Sequence, residues 1–77
     1  MAERLPSLRP EQVVRALERG GFAILRQNGS HVILYKEGNP RPVTVPRHNR
    51  DMKRGIVAGI IADAGLSREE FLELLRE

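Results

Sequence analysis

His31 follows directly on Asn28-Gly29-Ser30 and opens an alternating run, Val32-Ile33-Leu34-Tyr35, so its imidazole stands at the mouth of a hairpin on a rigid strand. An imidazole takes and gives a proton near neutrality. RNA cleavage asks for that when a 2′-hydroxyl attacks the adjacent phosphate, and nearby arginines would stabilise the charge that builds on the phosphorane. The plainer reading of a lone strand histidine is a surface or hydrogen-bonded side chain with no chemistry, and the residues alone leave both open. His48, between Arg47 and Asn49, reads as a phosphate or backbone contact. A Ser30-His31-Asp51 triad is disfavoured, because neighbouring strand residues face opposite sides.

Other chemistries are poorly served. There is no cysteine, and two histidines with ten scattered carboxylates never fall into a metal-ligand spacing, so neither metal nor cofactor is expected. Gly20-Gly21 follows a helix instead of opening one, and Gly55-x-x-x-Gly59 lacks the Gly-Lys-Ser/Thr ending of a phosphate loop. Asn28-Gly29-Ser30 matches a glycosylation acceptor, but Met1 to Pro6 contains no apolar stretch of a secretory signal. The longest charge-free apolar run, Gly55 to Ala62, is far short of the ~20 residues that span a bilayer. A cytoplasmic chain without membrane insertion is the expectation.

Charge is concentrated in the middle. Residues 26–54 hold Arg26, Lys36, Arg41, Arg47, Arg50, Lys53 and Arg54 against Glu37 and Asp51, a local net charge of +5 in a chain whose total is +3. Eleven of the thirteen basic residues are arginine, whose planar fork binds phosphate bidentately, so a polyanion suits this segment; an ordinary solvated surface is the alternative. One tyrosine and two phenylalanines rule out stacking of several bases on aromatic rings, which leaves shape and phosphate contacts to dominate.

The elements that must position these groups read clearly. Pro10 to Arg19 is a helix that buries Val13 and Leu17 and stops at Gly20-Gly21. Phe22 to Gln27 and His31 to Lys36 are strands joined at Asn28-Gly29, and Pro42 to Pro46 is a short third strand whose prolines suggest an edge. After the basic loop Arg47 to Met52, Lys53 to Ala64 is the main buried helix, with Ile56, Val57, Ile60 and Ile61 as its apolar face. Its Gly55/Gly59 pair would allow close approach to the sheet. That helix is too apolar to lie in a DNA groove. Ser67-Arg68-Glu69-Glu70 is a capping box opening a last short helix with Phe71, Leu72, Leu74 and Leu75 toward the core. The seventy-seven residues therefore make one domain, 1–77, of the two-layer α+β class: a three-stranded antiparallel sheet with helices on one face and the other face free.

Gly21-Phe22, Arg26-Gln27-Asn28-Gly29-Ser30-His31, Thr44-Val45-Pro46-Arg47-His48, Lys53-Arg54-Gly55, Ile60-Ile61 and Ala64-Gly65-Leu66 together resemble the HicA (YcfA-like) toxin family of bacterial toxin–antitoxin pairs, over about Leu8 to Leu72. The stiff Pro40-Arg41-Pro42 and the loop Asn49-Arg50-Asp51 depart mildly from the family pattern. The resemblance implies a double-stranded-RNA-binding-like α-β-β-β-α fold, here with an extra C-terminal helix. It further implies a metal-independent ribonuclease acting on mRNA through the histidine of the Gly-Ser-His turn, His31, and a HicB-like antitoxin that covers that histidine. On this reading His31 is the general acid/base, held by Ser30 and the turn. Arg26, Lys36, Arg47, His48, Lys53 and Arg54 grip the RNA phosphates, with Ser30 on the same RNA-binding surface. The competing reading is a non-catalytic RNA-binding module. Either way, RNA affinity measured by filter binding should fall steeply as salt rises, and a flat salt dependence would remove the phosphate grip.

Overall fold

The computed structural model describes residues 5, 7–47 and 51–76, which run as α1 (Pro10–Arg19), β1 (Ala23–Asn28), β2 (His31–Tyr35), β3 (Val43–Pro46), α2 (Arg54–Asp63) and α3 (Arg68–Arg76). This is the expected α-β-β-β-α order with its extra helix. The strands form one antiparallel sheet in the order β1-β2-β3, so β2 is central and the proline-bounded β3 is an edge, as expected, with β1 the other.

Local signals explain the helix ends. Pro10 opens α1, and the Gln12 side chain accepts a hydrogen bond from the Arg9 N–H at 2.9 Å. At the other end the Phe22 N–H donates to the Leu17 carbonyl and the Gly21 N–H to the Glu18 carbonyl, both at 3.0 Å, with Gly21 at φ 99°. These are the two bonds of a Schellman stop, and the buried Leu17 and Phe22 make its usual apolar contact. α2 closes with the same pair of bonds, Gly65 to Ala62 and Leu66 to Ile61, both 3.1 Å. The capping box of α3 forms as read: the Glu70 N–H donates to Ser67 Oγ at 3.0 Å and the Ser67 N–H to Glu70 Oε1 at 2.7 Å.

One core sits between sheet and helices. Val32 and Leu34 of β2 and Val43 and Val45 of β3 face it, and Val13, Leu17, Val57, Ile60, Ile61 and Phe71 meet them from the helices. Phe71 is fully buried, while Leu72, Leu74 and Leu75 are half-buried. Three cross-links tie the elements together. Arg19 Nη1 donates to the Leu74 carbonyl at 2.8 Å near the carboxyl end of α3. Lys36 Nζ donates to the Gly20 carbonyl at 2.9 Å at the end of α1. The Asn39 amide, in the β2–β3 loop, donates to the carbonyls of Arg41 and Asp63, at 2.7 and 3.1 Å, pinning the loop to the end of α2.

Two expectations for α2 fail, for one geometric reason. Its buried stripe is Val57, Ile60, Ile61 and Ala64, so Ile56 lies about a quarter-turn from the centre and is 45% exposed. Gly55 and Gly59 fall on the opposite, solvent side, where a Cβ would meet nothing within 4 Å, so they do not serve an approach to the sheet. The loop read as basic and polar also holds a core residue: Met52 is buried and donates its N–H to the Leu8 carbonyl at 2.7 Å, an isolated antiparallel bridge.

Since glycine in a helix interior costs about 0.5–1 kcal/mol relative to alanine, Gly59→Ala should raise stability in urea denaturation by that amount. Leu17→Ala, which empties a fully buried site, should lower stability by about 2–5 kcal/mol.

Candidate functional site

Asn28 pairs with His31, which leaves Gly29-Ser30 as the two-residue loop. Gly29 has φ 58°, and among the described residues no non-glycine residue has positive φ. A type I′ turn needs positive φ at both central residues, so the pattern is that of a type II′ turn with glycine first. The turn therefore lies one residue further along than the Asn28-Gly29 centre that the sequence suggests. His31 is consequently the first residue of the central strand and belongs to the sheet, not to the loop.

Burial of Val32 and Leu34 forces His31, Ile33 and Tyr35 to the uncovered face. Cross-strand pairing then sets the rows of that face. Asn28, His31 and Pro46 form one row, and Arg26, Ile33 and Thr44 the next. Arg26 is thus a diagonal neighbour of His31, at the roughly 7–8 Å spacing that a long side chain spans. Both are exposed. The tight turn sets this phase, and a β-bulge between Ile24 and Arg26 then returns Ile24 to the helix side, opposite Leu34. Ser30 Oγ lies 3.5 Å from His31 Nδ1, at the outer limit of a hydrogen bond. The alternation that argued against such a contact does not apply, because Ser30 is in the turn. Asp51 lies 3.9 Å from Arg9 in an exposed ion pair and does not join this pair.

The remaining cations separate. Arg47 lies two residues beyond the buried Val45 and so on the helix side of the sheet, where its Nη1 donates to Gln27 Oε1 at 2.7 Å. Its backbone N–H donates to the Ser30 carbonyl, which ties the end of β3 to the turn. Lys36 follows the far end of β2, about 16 Å along the strand from His31 at ~3.3 Å per residue. Its ammonium is engaged by Gly20 and lies 5.9 Å over the Phe22 ring. Lys53 and Arg54 are exposed at the start of α2, and among the described residues neither joins the hairpin by a hydrogen bond or ion pair. His48 lies outside the described residues. The structure therefore brings together Arg26, Ser30 and His31, places Arg47 just behind them, and sets Lys36 apart.

Gln27 was not singled out by the sequence reading, although alternation with Arg26 was the signal that puts it on the helix side. There, between α1 and β1, lies a groove of about 370 Å³ bounded by Glu11, Arg15, Gln27 and Arg47. Among the described residues no three histidine, aspartate or glutamate side chains gather to hold a metal ion, and no helix is long and apolar enough to cross a membrane.

Residues 10–66 match the family model described as HicA toxin of bacterial toxin-antitoxin, from the first residue of α1 to just past α2, with the whole hairpin inside the match. No curated protein matches the chain.

The turn supplies a direct check on how the site is held. At φ 58° a Cβ is strained whatever the surrounding space, so Gly29→Ala should cost about 1–2 kcal/mol in urea denaturation although no neighbour is displaced.

Proposed function

The chain belongs to the HicA toxin family of bacterial toxin–antitoxin systems, and we propose that within it the protein is a metal-independent endoribonuclease that cleaves mRNA with His31 as general acid/base. The observation that carries this reading is the placement of His31: exposed, on the first residue of the central strand, on the one sheet face the helices leave uncovered, with Arg26 diagonal to it.

In the proposed step the neutral imidazole takes the proton of a ribose 2′-hydroxyl, whose oxygen attacks the adjacent phosphorus. The bond to the 5′-oxygen of the next nucleotide breaks, a 2′,3′-cyclic phosphate forms, and the leaving oxygen takes up a proton. Arg26 offsets the charge that builds on the phosphoryl oxygens. His31 performs both transfers in turn, or His48 or a water supplies the second. Ser30 biases the ring through its Nδ1 contact.

RNA lies along the open face, where Ile33 and Tyr35 offer apolar surface between the polar rows, and Lys53 and Arg54 extend the basic margin. The antitoxin that the family implies is, on this reading, a HicB-like protein that covers the same face and excludes the RNA.

Wild type and His31→Ala, incubated with a long single-stranded RNA in EDTA, test the reading. General acid–base groups contribute about 10²–10⁴-fold, so cleavage should fall by that factor while circular dichroism and RNA affinity stay nearly unchanged. If neither protein cuts, the chain is a non-catalytic RNA-binding module. Cutting by wild type that persists in the folded variant removes His31 from the chemistry.

A further inference from the structure

The groove between α1 and β1 is built unlike the open face. Its apolar wall is Val14, Ile24 and Val32. Two carboxylates, Glu11 and Glu18, stand against two guanidiniums, Arg15 and Arg47, so the groove carries no net charge. Among the described residues neither carboxylate is engaged by a hydrogen bond or an ion pair. Gln27 gives its amide oxygen to Arg47, which holds the amide and leaves its NH₂ group as a donor. At about 370 Å³ the groove falls within the range of small-ligand sites.

These features select a ligand. The unengaged carboxylates call for N–H donors, while the fixed Gln27 and Arg47 call for a ring nitrogen or carbonyl acceptor. A planar, uncharged ring with an amino group beside an acceptor meets both demands; in RNA adenine, guanine and cytosine present that edge, and the two purines offer the larger ring face to the wall of Val14, Ile24 and Val32.

The groove also adjoins the hairpin tip. Gln27 faces it while its neighbour Asn28 faces His31, and the Arg47 backbone bonds to Ser30. Only Gly29-Ser30 separates the two faces there, and beyond Gly29 lies open space. We propose that this groove is a base-reading subsite, taking an amino-bearing purine of the RNA that passes over the tip from the phosphate at His31. The proposal rests on the ribonuclease reading for that phosphate, but the groove is tested without cleavage.

Isotope-labelled wild-type protein is titrated by NMR with AMP, GMP and IMP, the last having a purine ring without an amino group. AMP or GMP should shift the backbone resonances of Val14, Ile24 and Gln27 saturably, with IMP weaker by about tenfold, as loss of one paired hydrogen bond to a charged group predicts. Glu11→Gln and Glu18→Gln, exposed positions checked for fold by circular dichroism, should bring AMP or GMP down toward the IMP value. Equal response to all three nucleotides, or shifts confined to the His31 face, would overturn the subsite even if the protein cuts RNA. Silence toward all three would do the same and leave the groove to a protein partner. Groove shifts in a protein that cuts no RNA would uphold purine recognition and overturn the reading of His31.

Discussion

Val32 and Leu34 have to lie in the core, because a domain this small has one apolar sheet face and β2 is its middle strand. Period-two alternation then leaves no choice about His31, Ile33 and Tyr35, which must face away. Everything at the hairpin end inherits that phase. The II′ turn starts β2 at His31 and sets Arg26 on the same face, and β3 presents Thr44 and Pro46 beside them. A one-residue slip would bury the imidazole and expose Val32 and Leu34 to water, at several kcal/mol.

Counting basic residues overstates how many are free to meet a polyanion. Lys36 sits on the Gly20 carbonyl at the C-cap of α1, and Arg19 on the last carbonyls of α3, where cations complement the partial negative charge of a helix end. Arg47 is committed to Gln27 and the turn. Arg26, by contrast, is exposed beside His31. The local charge of the central segment is thus shared between holding the fold and facing outward, and pairing with a carbonyl, invisible to a charge count, makes the division.

The architecture was legible because its signals are local: proline and glycine at helix ends, alternation in β2, and the Ser67/Glu70 cap are each decided within a few residues. The exposed His31 followed from the same alternation. What escaped depends on phase or on distance. Asn28-Gly29 is a strong turn pair, yet the turn uses Gly29-Ser30, because bonding of Asn28 to His31 sets the register. The apolar residues of α2 are so many that composition does not say which stripe is inside, and Ile56 and the glycine pair were misplaced for that reason. The groove needs the bulge, which turns Ile24 inward, and the Arg47 contact with Gln27, neither of which has a sequence signature. Leu8 and Met52 meet from a segment before α1 that was assigned no element and from the loop read as basic and polar.

That last contact bears on the order in which the chain comes together. The hairpin and α1 close through nearby residues, whereas the Leu8–Met52 bridge joins the segment before α1 to the segment before α2, with the whole sheet between them in the sequence. Closing so long a loop carries an entropic cost that grows with length, and a single backbone bond with two buried side chains offsets little of it. The bridge is therefore a late contact in folding and an early one to release. Its amide exchanges with solvent at a lower opening energy than the sheet's, and each opening bares Leu8 and Met52 while the hairpin that carries His31 stays formed.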